Sequence, residues 1–591
     1  MLIKKEEITI SNFLNIFKKI IEIKNNAGII SIINNPKDLL DRAKLYGIQY
    51  KNGSYGWASN IWSRSAAGSL VIDKEEDLTS ECKELMNTVL EQILCRPLIQ
   101  VDANLGQPDS YSEMKARLYI DPQFPDIAYR WKELNFNGTF EGEPDATIFC
   151  IPHYLENPII SNTSEMLKII RFPHYNYTII TCSSYQGECK KGFLSHWIYN
   201  VYKKGGTGEH ASLKEFTVKK IDNKKKRIVM GTWGLSGSGK STHGMYIFNE
   251  KTESIYKDKF GINVLDLVSD QVIKNDDIIG IFEDRVESPE RGAWSKTEDV
   301  NETQIAMFTA GMAKRALHEN TEFDENGDVS FKGKLYQYHN KLNRNARTVF
   351  YLNDTGYYDG NVNSTEPLNM AVFISQGYIS DFAWLKINDM NFAAKVLADG
   401  RTIGHPSQGS KGVGEEKYES RYCLPFTIGV GCSAHVNRFH QFLVKRKETN
   451  NPIEVYQINT TGRIGAEYEW DQKKIGENEI NFPKVKFIEV NGKNKPIGGE
   501  SPSIEETELF LLQAARGAVK YESHPIWGNK VLMPIEVEGI SKKRLLELNP
   551  FNYRSLEEMQ SLLKAQVIMS KHSLDKQCFG LNKSIYDAMD F

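Results

Sequence analysis

One octapeptide restricts this chain more than any other part of it: Gly234-Leu235-Ser236-Gly237-Ser238-Gly239-Lys240-Ser241. It is a complete GxxxxGK[ST] pattern that follows the β-prone run Arg227-Ile-Val-Met-Gly-Thr-Trp233 directly. A strand leading into a glycine-rich turn and then into the amphipathic stretch Thr242 to Phe248 predicts a strand–loop–helix unit. The glycines let successive backbone N–H groups face phosphate oxygens with no Cβ in the way. Lys240 then neutralises the β- and γ-phosphates of a nucleoside triphosphate, and the Ser241 hydroxyl holds Mg2+ between them. The helix that begins there, with Thr242 in its first turn, adds the positive end of its dipole. At average composition about 0.02 chance matches are expected in a chain this long, so the pattern predicts triphosphate binding.

The remaining bulk properties exclude several classes. At 591 residues the chain is too long for one hydrophobic core. Its 73 Lys+Arg against 76 Asp+Glu leave a net charge of -3, which gives no general attraction to nucleic acid. The start, Met1-Leu-Ile-Lys-Lys-Glu-Glu, lacks the pattern of a secretory signal, and no apolar run approaches the roughly 20 residues that span a bilayer. A cytoplasmic protein without a membrane partner is expected. The eight cysteines (Cys82, Cys95, Cys150, Cys182, Cys189, Cys423, Cys432, Cys578) are scattered and form no CxxC pair, so reduced, mostly buried thiols are expected.

Helical patterns such as Ile8 to Ile23 alternate with short apolar runs such as Ser69-Leu-Val-Ile-Asp73 and Tyr177-Thr-Ile-Ile-Thr181, which predicts an α/β fold. The Lys- and Arg-rich stretch Lys219 to Arg227 is expected to connect two domains: a mixed α/β domain over 1–220 and a P-loop-containing mononucleotide-binding domain over 221–591. The segment 398–415 holds five glycines and no apolar periodicity, and reads as a long mobile loop of the kind that serves as a lid.

Further blocks carry a specific resemblance. Tyr185-Gln-Gly-Glu-Cys-Lys190-Lys191-Gly is similar to the YxGExKKG motif of the ATP-dependent phosphoenolpyruvate carboxykinases, and the phosphate loop resembles that family's GLSGTGKTT. Asn60-Ile-Trp-Ser-Arg64-Ser65 resembles its GRSPKDK segment, and Glu290-Arg-Gly-Ala-Trp-Ser-Lys296-Thr297 its EGGCYAKT motif. His210 follows Lys191 at the family's spacing, Val268-Ser-Asp270-Gln271 falls where its second acidic motif is expected, and Arg347 corresponds to its other substrate arginine. Asn459-Thr-Thr-Gly-Arg463 and Gly498-Gly-Glu-Ser-Pro-Ser-Ile-Glu-Glu-Thr507 look like the two ends of its adenine-side motif TGxGKRISIxxT, separated by an insertion. Ser65-Ala-Ala-Gly68 replaces the family's Ser-Pro-Lys-Asp, and extra sequence lies between Phe282 and Glu290.

The resemblance implies ATP-dependent decarboxylation and phosphorylation of oxaloacetate to phosphoenolpyruvate, CO2 and ADP, with ATP, Mg2+ and Mn2+. It assigns Mn2+ to a neutral Lys191, His210 and Asp270, ligands whose mixed nitrogen and oxygen donors suit that ion. Arg64 and Arg347 are implied to clamp the substrate carboxylates, where guanidinium geometry gives a bidentate grip. Tyr185 is implied to lie near the departing CO2, while Lys240 and Lys296 offset phosphoryl charge. Arg463 and Thr507 are the implied contacts for base and ribose. A second reading, a P-loop phosphotransferase acting on another small acid or a protein hydroxyl, stays open because of the altered 65–68 segment.

Overall fold

A strand such as Ala146-Thr-Ile-Phe-Cys-Ile151, buried along its whole length, needs cover on both faces of its sheet, and this requirement organises the molecule. The computed structural model describes residues 8–59, 69–153, 169–235, 238–297, 300–332, 346–377, 379–403, 416–421, 427–460, 462–470, 483–490 and 493–591. Arg64, Ser236, Gly237 and the centre of the Gly-rich segment, 404–415, therefore lie outside the described residues.

The architecture is mixed α/β. In the N-terminal half, an eight-stranded sheet runs Ile30–Ile32, Leu98–Leu105, Met114–Ile120, Ala146–Ile151, Tyr177–Thr181, Ile169–Phe172 and Ser69–Val71, with Phe136–Asn137 pairing onto Leu98–Leu105. Alternation sends Tyr119, Phe149, Ile151 and Ile179 to one face, under the helices Ile10–Asn26 and Ser80–Cys95. Leu118, Ile148, Cys150 and Ile180 go to the other, where they meet the helices Pro125–Leu134 and Gln186–Lys203.

The second eight-stranded sheet runs Val268–Asn275, Ala211–Lys219, Lys225–Trp233, Met370–Ser375, Glu454–Asn459, Trp384–Ile387, Gly528–Val537 and Val519–His524. Its middle three strands, Lys225–Trp233, Met370–Ser375 and Glu454–Asn459, are parallel, so the segments after Trp233, Ser375 and Asn459 emerge side by side at one edge. That edge, beyond the carboxyl ends of parallel strands, is where open α/β sheets bind ligands. Val229, Phe373 and Val455 face the helices Met390–Ala398, Cys432–Lys447 and Leu556–Gln577; Met230, Val372 and Ile458 face the helix Ile504–Arg516. Trp233 is wedged against Phe373 and Phe439, with ring centroids 5.2 and 5.8 Å away. Its truncation to Ala costs about 3–5 kcal/mol. A five-stranded sheet, in the order Gly292–Lys296, Arg347–Tyr351, Leu317–Glu319, Tyr55–Trp57 and Ile48–Gln49, joins strands from the start and the middle of the chain.

Four expectations change. Lys219 to Arg227 is no interdomain connection: it is the turn of the hairpin formed by Ala211–Lys219 and Lys225–Trp233, closed by Lys220 N–H to Lys224 O at 2.8 Å. The helix after the phosphate loop is short, Lys240–Gly244, because the chain breaks off at Met245 and starts a new helix only at Glu250 under the Asn249 cap. The Gly-rich segment does not begin as a loop, since Asp399–Ile403 pairs antiparallel with Glu416–Ser420. Cys432 and Cys578 are not free thiols but a disulfide between the start of one helix and the residue after another, 146 residues apart. Such a separation carries no signal in cysteine spacing.

Candidate active site

The phosphate loop leaves the strand Lys225–Trp233 and turns at Gly239, whose φ of 91° suits glycine and few other residues. Thr460, just after the parallel strand Glu454–Asn459 two places along the sheet, donates its hydroxyl to Ser238 O at 2.7 Å, and Gln304 donates to the Thr242 hydroxyl at 3.0 Å. Lys240, Ser241 and Thr242 thus form one turn of helix braced from two sides. The Ser238 hydroxyl is buried and has no hydrogen-bond partner among the described residues. Leu235 and Gly234 lie at the exit of the strand, with Leu235 in the core.

Facing that turn are two carboxylates at the end of the strand Val268–Asn275. The Asn275 side chain accepts from the N–H groups of Asp277 (2.7 Å) and Ile278 (3.1 Å), a turn that throws both Asp276 and Asp277 toward the loop. Asp277 pairs with His210 Nε2 at 3.0 Å and with Lys240 Nζ at 3.2 Å, and takes a short bond from Lys190. Lys190, fully buried, also reaches Glu290 at 3.1 Å. Asp276 accepts from Ser241 Oγ at 2.9 Å and from Ser295 Oγ, while its backbone carbonyl takes the Lys240 ammonium. Its other carboxylate oxygen is buried and accepts no hydrogen bond among the described residues.

The electrostatics follow from this crowding. Burial alone raises the Asp277 carboxyl, yet Lys190, Lys240 and His210 hold it well below the usual carboxylate range. Burial, reinforced by Lys240, pushes His210 down to about 4, which keeps its imidazole neutral and able to act as a ligand. Burial lifts Glu290 to about 7 despite Lys190 beside it, and lifts Asp276 despite Lys240 and Ser295.

The second group of residues comes from two other elements. Tyr185 precedes the helix Gln186–Lys203 and is almost fully buried; its ring lies 5.7 Å from that of Trp294, and Lys191 Nζ sits 5.9 Å from the Tyr185 ring. Arg347 stacks over Trp294 at 4.7 Å and adjoins the Tyr185 hydroxyl, whose pKa rises chiefly through burial, with Arg347 opposing. In the antiparallel register Lys296 stands directly opposite Arg347. Like charges placed so repel, which marks the spot as one suited to an anion. Tyr185, Lys191, Lys296 and Arg347 are therefore neighbours, although up to 162 positions separate Tyr185 from Arg347 in the sequence.

The structure does not bring Asp270 into this group. Ser269 pairs with Thr217, and His210 lies just before Ala211 on that same partner strand. Six residues at about 3.3 Å each put Asp270 roughly 20 Å from His210. Asp270 is exposed, with its carboxylate on Ser269 Oγ and its carbonyl on Arg227, while Gln271 brackets the backbone of Phe248. The carboxylate beside His210 is Asp277. The run Asn275-Asp276-Asp277, two acids just before the apolar Ile278-Ile279, was the available signal in the sequence. Lys190, Glu290 and Ser295 were legible only as neighbours within their blocks.

The base-side residues have other tasks. Arg463 donates to Gly498 O at 3.0 Å and Gly499 O at 2.7 Å, and the bridge Ile464↔Glu500 closes the two halves of the interrupted motif onto each other. Thr507 is buried and accepts from the Trp384 indole at 3.3 Å. The extra sequence after Phe282 forms a tight hairpin, Ile279–Ile281 against Val286–Glu287.

No group of three or more His, Cys, Asp or Glu gathers among the described residues. The donor set nevertheless fits divalent cations in two places. A neutral imidazole and an ionised carboxylate meet at His210 and Asp277, and a hydroxyl and an unpartnered carboxylate oxygen meet at Ser241 and Asp276. Among the described residues no helix is long and apolar enough to cross a membrane.

Comparison with known proteins gives a consistent result. The sequence profile described as phosphoenolpyruvate carboxykinase matches residues 75–377, just over half of the chain. Curated relatives include the proteins named phosphoenolpyruvate carboxykinase (ATP) from Staphylococcus aureus strains bovine RF122 / ET3-1, Newman and JH1. Each is 26% identical over 212 residues, covering 36% of this chain and 33% of the relative. The matched stretch thus spans about a third of the length of these relatives.

Proposed function

The chain belongs to the phosphoenolpyruvate carboxykinase family, and on that premise we propose that it is an ATP-dependent carboxykinase converting oxaloacetate to phosphoenolpyruvate, CO2 and ADP. The observation that carries this reading is the junction at Asp276 and Asp277, where the lysine and serine of the phosphate loop meet His210 and Lys190. It joins a triphosphate-binding element to a cation-binding one at the edge where the parallel strands end.

In this reading oxaloacetate loses CO2, the electron pair of the broken bond forms the pyruvate enolate, and the enolate oxygen takes the γ-phosphoryl group as ADP departs. Arg64 and Arg347 hold the substrate carboxylates and fix the acceptor oxygen in line with the γ-phosphate, while Lys296, opposite Arg347, offsets phosphoryl charge. Tyr185 closes the wall beside the departing CO2, its phenol kept protonated by burial. Lys240 offsets the charge of the transferring phosphoryl group, and the backbone from Gly234 through Ser236, Gly237, Ser238 and Gly239 cradles the phosphates. His210 and Asp277, joined by a neutral Lys191, would hold Mn2+; Ser241 and Asp276 would hold the Mg2+ of the nucleotide. When bound, such cations stabilise negative charge on enolate and phosphate oxygens. In this reading the segment 398–415 serves as the lid that the family resemblance implies, excluding water during the transfer.

The test is a coupled assay on the full chain with oxaloacetate, Mg2+ and Mn2+, with ATP or GTP supplied separately. Release of CO2 and formation of phosphoenolpyruvate in equal amounts are expected. A protein that binds nucleotide yet makes none overturns the reading in favour of a phosphotransferase for another acid or a protein hydroxyl, the alternative raised by Ser65-Ala-Ala-Gly68.

A further inference from the structure

A helix of five residues does not hold itself together, since its nucleation cost is met by too few hydrogen bonds. Lys240–Gly244 is such a helix, and it carries Lys240 and Ser241. What fixes it lies on its far side. His243 Nδ1 pairs with Glu508 Oε1 at 2.7 Å, and Lys214 approaches Glu508 Oε2 at 3.7 Å. The same Lys214 ammonium donates to the carbonyls of His243 (3.3 Å), in the helix's last turn, and of Tyr246 (2.9 Å), just beyond its end. All three side chains are buried: Lys214 at 3%, His243 at 2% and Glu508 at 2% exposure.

Two packing details point the arrangement at the phosphate loop. The His243 ring edge lies against Gly239, where an added Cβ would stand 3.6 Å from Cδ2 and 3.9 Å from Nε2. At the other end of the helix a Cβ on Gly244 would overlap the Ser212 hydroxyl, so the helix is seated directly on the strand Ala211–Lys219 that also carries Lys214. Glu508 comes from the helix Ile504–Arg516, which is independently fixed by its Ser503–Glu506 capping box.

We propose that Lys214, His243 and Glu508 form a buried clamp of positioning residues that sets the phosphate loop for the triphosphate. This rests on the functional reading above and deepens it. None of the three touches substrate through the clamp contacts; they act by holding Lys240 and Ser241 in register from behind. Because its contacts fall on the Lys240–Gly244 turn, on Gly239 and on the Tyr246 carbonyl, the clamp is expected to govern affinity for the polyphosphate part of the ligand.

The experiment measures binding of MgATP, inorganic tripolyphosphate and adenosine to the full chain, with steady-state kinetics alongside. It compares the wild type with Glu508→Gln, His243→Leu and His243→Asn, each at a temperature where it is folded. Expected for Glu508→Gln and His243→Leu is an increase of about tenfold in Kd for both MgATP and tripolyphosphate, the scale of one lost charge-assisted hydrogen bond. Adenosine binding stays unchanged, and the KM for ATP rises more than kcat falls. His243→Asn, whose amide nitrogen can stand in for Nδ1, recovers part of the loss, and it reads the clamp even if Glu508→Gln proves insoluble. Unchanged tripolyphosphate affinity alongside a lowered melting temperature, or equal weakening of ATP and adenosine, overturns the clamp. A wild type that binds neither ATP nor tripolyphosphate overturns the functional reading, and the clamp falls with it.

Discussion

The two ends of the edge at which the parallel strands of the central sheet finish are built differently. At the phosphate end, buried charges converge: Lys190, Lys240, His210, Asp276, Asp277 and Glu290 lie within one hydrogen-bonded group, with a carboxylate oxygen of Asp276 and the Ser238 hydroxyl left over. At the base end, the candidate residues are consumed by the fold: Arg463 ties down Gly498 and Gly499, and Thr507 receives the Trp384 indole. Buried polar atoms without partners are costly, and a protein keeps them where a ligand supplies the missing partner. The difference teaches that the phosphate end keeps acceptor atoms free beside its charges, whereas Arg463 and Thr507 already bond to groups of the chain itself.

The largest effect is expected at the centre of the phosphate end. Asp277→Asn removes the carboxylate that Lys190, Lys240 and His210 share, leaving Lys190 with Glu290 alone and Lys240 with Asp276. We expect a loss of about 3–5 kcal/mol in stability, and carboxykinase turnover below detection, measured by urea unfolding and the coupled assay. Asp270→Asn, on the exposed far end of the same strand, is expected to change neither by more than about 0.5 kcal/mol or twofold. If the two variants behaved alike, the distinction between these carboxylates would be lost.

Next in size, Arg347→Ala is expected to lower kcat/KM for oxaloacetate by about a hundredfold or more while leaving the Kd of MgATP within threefold. A parallel loss of ATP affinity would mean that the arginine serves the nucleotide instead. Below that comes a pH effect that involves neither end. Burial holds His196, His318 and His435 at about 3 in the folded state, against 6.5 in an exposed chain. Their folded pKa is depressed, so the unfolded state binds more protons between these values. Their stabilising contribution is complete above pH 6.5 and is lost as pH falls toward 3, at about 1.4 kcal/mol per histidine per pH unit. Urea unfolding between pH 7 and 5 reads the net slope, to which the depressed His210 and His524 add and the raised Glu290 and Asp399 are opposed, and His435→Gln should lower it by about 1 kcal/mol per pH unit.

The smallest effects belong to the base end. Arg463→Ala and Thr507→Val should each cost about 1 kcal/mol of stability and alter the KM for ATP by less than threefold. A tenfold rise in KM with unchanged melting temperature would show that this end recognises nucleotide after all, and would erase the contrast.

How far the site could be read in advance depended on how local each rule was. The phosphate loop was legible because glycine's freedom at Gly239 and the chemistry of Lys240 and Ser241 need only neighbouring residues. The positions of Tyr185, Lys191, Lys296 and Arg347 were legible as members of motifs, and the cross-strand register supplies the reason Lys296 and Arg347 lie side by side. The choice of Asp270 over Asp277 failed because both lie on or beside one strand, and only its pairing with Ala211–Lys219 says which end carries His210.

The amino-acid sequence alone determined the α/β character, through runs such as Ala146–Ile151, and the phosphate loop, through backbone conformations that few residue types permit. Register and closure belonged to the tertiary structure. It chose Asp277, bonded Cys432 to Cys578, folded Ile464 back onto Glu500, and seated His243 on Glu508. The physical reason is distance along the chain: local rules act through covalent neighbours, while these pairings join segments that meet only once whole sheets have stacked.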